Sequence, residues 1–143
     1  MGDAGDRIRN TIARYSQLCD DGRFDEWSNL FTSDARFHVM GRTHEGPAAI
    51  RSFIEAGQPP ERRGRHVVTN TVLDVDDLNG TARGWTDYLF VDPAFSITNL
   101  GRYHDELVLD RSDAQWRFSL REIVFLGASP EVAQPVPGAA LPG

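Results

Sequence analysis

"RHVVTNTVLDVDDLNG", residues 65–80, decides the fold. From Val67 the run is rich in β-branched side chains, which suit a pleated, half-buried surface. It closes on Asp76-Asp77-Leu78-Asn79-Gly80, and Asn-Gly is a strong hairpin signal. A strand that turns back needs partners, and they follow at once. Four β segments are expected, at about 65–75, 80–92, 97–110 and 115–126, the later ones separated by "DPAFS" and "RSDAQ".

Upstream the period changes. "DRIRNTIARYSQLCD" (6–20) places Ile8, Ile12, Tyr15 and Cys19 at helical spacing, and Gly22 ends that helix. "FDEWSNLF" (24–31) reads as a second short helix, with Phe24, Trp27, Leu30 and Phe31 on one face. "ARFHVMG" reads as a short strand. "GPAAIRSFIEAG" opens with Gly46-Pro47, the expected entry to a third helix, whose buried stripe is Ile50, Phe53 and Ile54. Helices first and long strands after are an α+β pattern: an antiparallel sheet curling around the N-terminal helices. Residues 1–126 form one domain in this reading. Residues 127–143, "GASPEVAQPVPGAALPG", make a tail whose prolines cannot extend a sheet and whose one charge is Glu131. Its apolar content predicts docking on the mouth of the domain or on an adjacent subunit.

The 143 residues suffice for one hydrophobic core. A net charge of −6 argues against nucleic acid and anionic membranes as partners. No apolar run is long enough to span a bilayer, and "MGDAGDRIRN" has no signal-peptide core, so a cytoplasmic protein is expected. A single cysteine, Cys19, excludes an internal disulfide and a Cys-rich zinc site. All 15 basic residues are arginine, which removes Schiff-base chemistry and a Walker-type phosphate loop. No dinucleotide or serine-hydrolase motif is present, and no ligand spacing supports a metal site. No cofactor is expected.

Few polar residues stand where apolar ones belong. Strict alternation from His66 puts His66, Val68, Asn70 and Val72 on one face. Asp20 and Asp21 end the first helix, where a carboxylate meets the negative end of the helix dipole; the alternative is a plain polar turn. Tyr15 lies five residues earlier, about 140° around the helix. In "WRFSLREIVF", alternation sets Trp116, Phe118, Leu120 and Val124 on one face and Arg117, Ser119, Arg121, Ile123 and Phe125 on the other. Arg121 is then either a site residue or half of a buried ion pair. His38, His44 and His104 are weaker candidates.

"RYSQLCDDGRFDEWSNLFTSDARF", "GPAAIRSFI", "RHVVTN" and "GRYHDELVLDRSDAQWRFSLREI" together resemble the SnoaL-like branch of the nuclear transport factor 2-like superfamily, over about residues 6–126. The resemblance implies a cone: a strongly curved antiparallel sheet around three helices, with a deep apolar pocket. Within the superfamily, hexachlorocyclohexane dehydrochlorinase is similar at Asp20, His66 and Arg121, and bile-acid 7α-dehydratase at Tyr15, Asp20 and His66. Scytalone dehydratase is similar at Asp20 and His66, but its second catalytic histidine lies on the next strand, and no histidine stands between Thr81 and Asp92 here.

The resemblance implies a cofactor-independent lyase for a small apolar cyclic or aromatic molecule. His66 would be the general base and Asp20 its orienting partner, with Tyr15 and Arg121 on the leaving group. Asn70, Trp27, Phe31, Phe53 and Val68 would line the pocket, with Trp85, Tyr88 and Tyr103 as further contacts. An isomerase or polyketide-type cyclase with the same dyad is the alternative, and a non-catalytic ligand-binding module is another, because one fold hosts many functions. The lyases that it resembles also imply a homo-oligomer, a trimer before a dimer.

Overall fold

A computed structural model describes residues 2–126; the tail 127–143, and its expected docking, lie outside the described residues. Helix α1 (Ala4–Asp20) starts where the Asp3 carboxylate accepts the Asp6 N–H at 2.8 Å. It ends at Gly22, whose φ of 71° suits a residue without a Cβ. Ile8, Ile12, Tyr15 and Cys19 form its buried stripe, as their spacing predicts.

Helix α2 (Phe24–Ser28) is shorter than the spacing predicts. Leu30 and Phe31 leave the helix because the chain pairs with a distant strand: Phe31 opens β1 (Phe31–Val39), whose neighbour is the last strand. Tertiary pairing overrides a short helical stripe here. Met40 and Gly41, both with positive φ, turn β1 into β2 (Arg42–Glu45), a strand the sequence pattern does not reveal. Helix α3 (Pro47–Gly57) follows Gly46, and a 3₁₀ turn (Pro60–Arg62) leads into the meander.

The meander strands are β3 (Arg65–Asp76), β4 (Thr81–Val91), β5 (Ile97–Asp110) and β6 (Gln115–Phe125), within one or two residues of expectation. The sheet order is β2-β1-β6-β5-β4-β3. The sheet is curved, unclosed and mixed: all neighbours are antiparallel except β1 and β6, which run parallel. Its inner face packs on α1 around Trp27, Phe37, Tyr103, Leu107 and Phe118. No helix among the described residues is long and apolar enough to cross a membrane.

Two bulges change which residues face inward. In β3, Val68 pairs with Tyr88 and Thr71 with Thr86, so Thr69 and Asn70 together oppose Asp87. Thr71, Leu73 and Val75 therefore turn inward, and Asn70 and Val72 do not share the face of His66; both are exposed. In β6, Phe118 pairs with Leu107 and Leu120 with Glu106, leaving Ser119 as the extra residue. Trp116, Phe118 and Arg121 thus lie on one inner face, which strict alternation divides between two faces.

Candidate active site

The carboxylate that ends α1 meets the first residues of β3. Asp20 Oδ1 lies 2.6 Å from His66 Nδ1, and Asp20 Oδ2 accepts the His66 backbone N–H at 2.8 Å. One carboxylate grips one residue by ring and main chain together. That fixes both the ring and its tautomer: an ionised Asp20 accepts only from Nδ1–H, which leaves the Nε2 lone pair on the far side. Among the described residues, nothing hydrogen-bonds Nε2. The pair is mostly out of water, with 13% of the His66 side chain and 3% of Asp20 exposed. Asp21, next in the chain, faces Arg65 at 3.8 Å across the helix end.

Cys19 stands beside the pair. Its thiol and the ligating atoms of Asp20 and His66 lie within 4.8 Å of one another. Burial, reinforced by the Asp20 charge, pushes the thiol up to about 12. Both Asp20 oxygens are engaged by His66, through ring and main chain, and the thiol lies beside that pair.

The surroundings grade from half-open to closed along the inner face. Around His66 lie Phe90, in edge contact at 4.7 Å between centroids, and Tyr88 at 6.1 Å. Val68 and Phe125, which share the rung of Tyr88 and Gly101, are only partly buried. Deeper, Tyr88 stacks on Tyr103 at 4.4 Å with 7° between the rings. Tyr103 meets Tyr15 edge-on at 5.6 Å, and Tyr15 packs on Trp27 and Phe31. Arg121 lies over Tyr103 and Tyr15 at 3.7 and 4.1 Å and holds Asp105 through two bonds of 2.8 Å. Both members of that ion pair have side chains at 0% exposure. The charge of Asp105 keeps the guanidinium protonated against the cost of burial.

The expected residues therefore divide. Asp20 and His66 form one bonded unit, with Val68 and Tyr88 near it; Phe53 packs instead on Phe37 and stacks on His44. Tyr15, Arg121, Tyr103, Trp27 and Phe31 form a second, closed layer. His66 pairs through Phe90 to Asn99, whereas Arg121 pairs with Asp105 six residues along β5; the Arg121 guanidinium nevertheless lies over Tyr103, which stacks on Tyr88 beside His66. Asn70 leaves the site through the β3 bulge. Trp85 also leaves it: it pairs with Val72 on the outer face, under the Arg83 guanidinium at 5.1 Å. Phe90, Asn99 and Gly101 join the neighbourhood unannounced. A lone glycine inside a 14-residue strand is a readable sign of close approach, and Gly101 bears it.

Residues 3–122 match the family model of the SnoaL-like domain. Among curated proteins, none matches. Of the solved structures, a Mycobacterium tuberculosis protein of unknown function, studied as an aspartate-to-asparagine variant, is 26% identical with a TM-score of 0.76, over 92% of this chain and 80% of that one. An NTF2-like protein with a cystatin-like fold from Novosphingobium aromaticivorans is 23% identical with a TM-score of 0.76, over 89% of this chain and 84% of its own. A protein of that organism provisionally named a scytalone dehydratase is 21% identical with a TM-score of 0.75, over 94% and 93%. The last two likenesses show the fold alone.

Proposed function

The chain belongs to the SnoaL-like family, and from that premise we propose that it is a cofactor-independent lyase that eliminates water from a small, largely apolar cyclic molecule. The observation that carries this reading is the Asp20–His66 bond at 2.6 Å, buried at the half-open end of an apolar face. His66 Nε2 takes a proton from the carbon next to an activating group. The electrons of that C–H bond form the new double bond as the neighbouring C–O bond breaks. The imidazolium, stabilised by Asp20, returns its proton to the departing hydroxyl, and water leaves. Proton and electrons balance without an added reagent. The neighbouring Phe90 and Val68 keep water from competing for the base.

The test is a panel of cyclic β-hydroxy ketones, followed by the absorbance of the conjugated product and by mass. Wild type should give a product lighter by one water. His66→Ala should lower turnover by about 10²–10⁴-fold, and Asp20→Asn by a comparable factor, with melting temperatures close to wild type. Turnover that survives His66→Ala overturns the assignment. A product of unchanged mass, lost in the same variants, identifies an isomerase or cyclase with the same base.

A further inference from the structure

Tyr88 is where the two layers of the cone meet. Its ring lies 6.1 Å from that of His66 on one side and is stacked at 4.4 Å on Tyr103 on the other. Tyr103 in turn carries the Arg121 guanidinium on its face at 3.7 Å. The hydroxyl end of Tyr88 rests over Gly101, its partner across β5. A Cβ at Gly101 would come to 2.6 Å from both Cζ and the hydroxyl, closer than real Cβ atoms approach anything. The absent side chain is thus the slot in which the phenol lies. Asn99 shares the rung of His66, two residues before Gly101 on the same strand.

Building on the reading of His66 as the base, we propose that Tyr88 is the hydrogen-bond donor that holds the carbonyl oxygen of a cyclic ketone substrate, with Gly101 as the residue that makes its seat. The chemistry follows from the placement. When His66 Nε2 removes the proton next to the carbonyl, the C–H pair becomes a C=C bond and the C=O π pair moves onto oxygen. A donor aimed at that oxygen binds it more strongly as charge accumulates, which is what accelerates the step. Burial raises Tyr88 far above an ordinary phenol, so it keeps its proton and acts by hydrogen bonding rather than by proton transfer. The Arg121 charge behind Tyr103 pulls the other way and makes the phenol a better donor. A neutral donor in an apolar site selects a neutral acceptor oxygen, so ketones are favoured over carboxylates of the same shape.

The probe is 2-tetralone, a bicyclic ketone with exchangeable protons beside its carbonyl. Bound to wild type, its carbonyl stretch should move to lower frequency than in an apolar solvent. Tyr88→Phe, which keeps the ring, should abolish that displacement and weaken binding roughly three- to tenfold. Gly101→Ala, which keeps the hydroxyl but fills its seat, should give a similar loss in folded protein. A carbonyl displacement that persists in Tyr88→Phe overturns the proposal, as does wild type that fails to bind the ketone more tightly than tetralin. Deuterium exchange into the probe separates the two readings. If exchange survives His66→Ala while the carbonyl displacement still depends on Tyr88, the base assignment fails and the donor stands. If exchange requires His66 but Tyr88→Phe leaves carbonyl and affinity unchanged, the donor fails and the base stands.

Discussion

Arg121 and Asp105 show what a charged side chain costs when it is placed in a core. Each is wholly buried, and each offsets the other's desolvation through two hydrogen bonds and three aromatic faces on the guanidinium. Removing one partner strands the other. Asp105→Ala should therefore destabilise the fold by about 3–5 kcal/mol, read from urea unfolding. Asp105→Ala combined with Arg121→Met should recover much of that loss, because no lone charge remains. A double variant no more stable than the single one would show that the guanidinium contributes through its aromatic contacts and not through its pairing. The Arg121 neighbours Ile123 and Phe125 already point to such a pair in the sequence. Asp105 does not, because it lies sixteen residues away on another strand and nothing local joins them.

The strands carry the next level of the argument. Their ends are written in turn residues such as Asn79-Gly80 and in β-branched runs, which is why their limits follow from the sequence almost unaltered. Bulges have no such writing: each adds one polar residue to a strand already half polar. Asn70 and Ser119 look like any outward-facing position until the register is known. Asp20 and His66 each stand out as polar residues at the end of a helix and the start of a strand, but their pairing follows from the family resemblance, because nothing local joins residues so far apart in the chain. Strict alternation counted past the bulge puts Asn70 and Val72 on the wrong face. The consequence can be measured. Asn70→Ala should change stability by no more than about 0.5 kcal/mol, as an exposed substitution. Deleting Asn70 should remove the extra residue and nothing else: Thr69 then opposes Asp87 alone, and Thr71, Leu73 and Val75 keep the inner face. The deletion variant should keep its near-ultraviolet circular dichroism and its cooperative unfolding. Loss of both would mean that the bulge itself is needed to hold the register.

For the molecule as a whole, the outer face of the sheet sets a dependence on pH. His104 faces outward between Trp85 on β4 and Glu122 on β6, its strand partners. Burial first, then the Arg102 charge, depresses it below its ordinary value of 6.5, while Asp105 and Asp87 pull it back up. An imidazole harder to protonate in the fold than in the open chain draws the equilibrium toward unfolding once pH falls below that ordinary value. Above it, the ring is neutral in both states and contributes no pH dependence. The melting temperature should therefore fall as pH drops from about 7.5 to about 5.5, ahead of the acid loss of carboxylate pairs such as Asp87–Arg102. His104→Gln should flatten that part of the curve. Parallel curves for the two proteins would place the titrating group elsewhere.

The sheet order also fixes when the protein can come into being. The last strand, β6, is an interior one, with β5 on one side and β1 on the other. Phe118 and Arg121, which close the core, arrive with it. A ribosome that has delivered everything through Asp110 has released the three helices and five of the six described strands, yet β1 and β5 still lack the neighbour that joins them. Folding therefore waits for β6: the β1–β2 hairpin and the β3–β4–β5 meander share no inside until that strand lies between them.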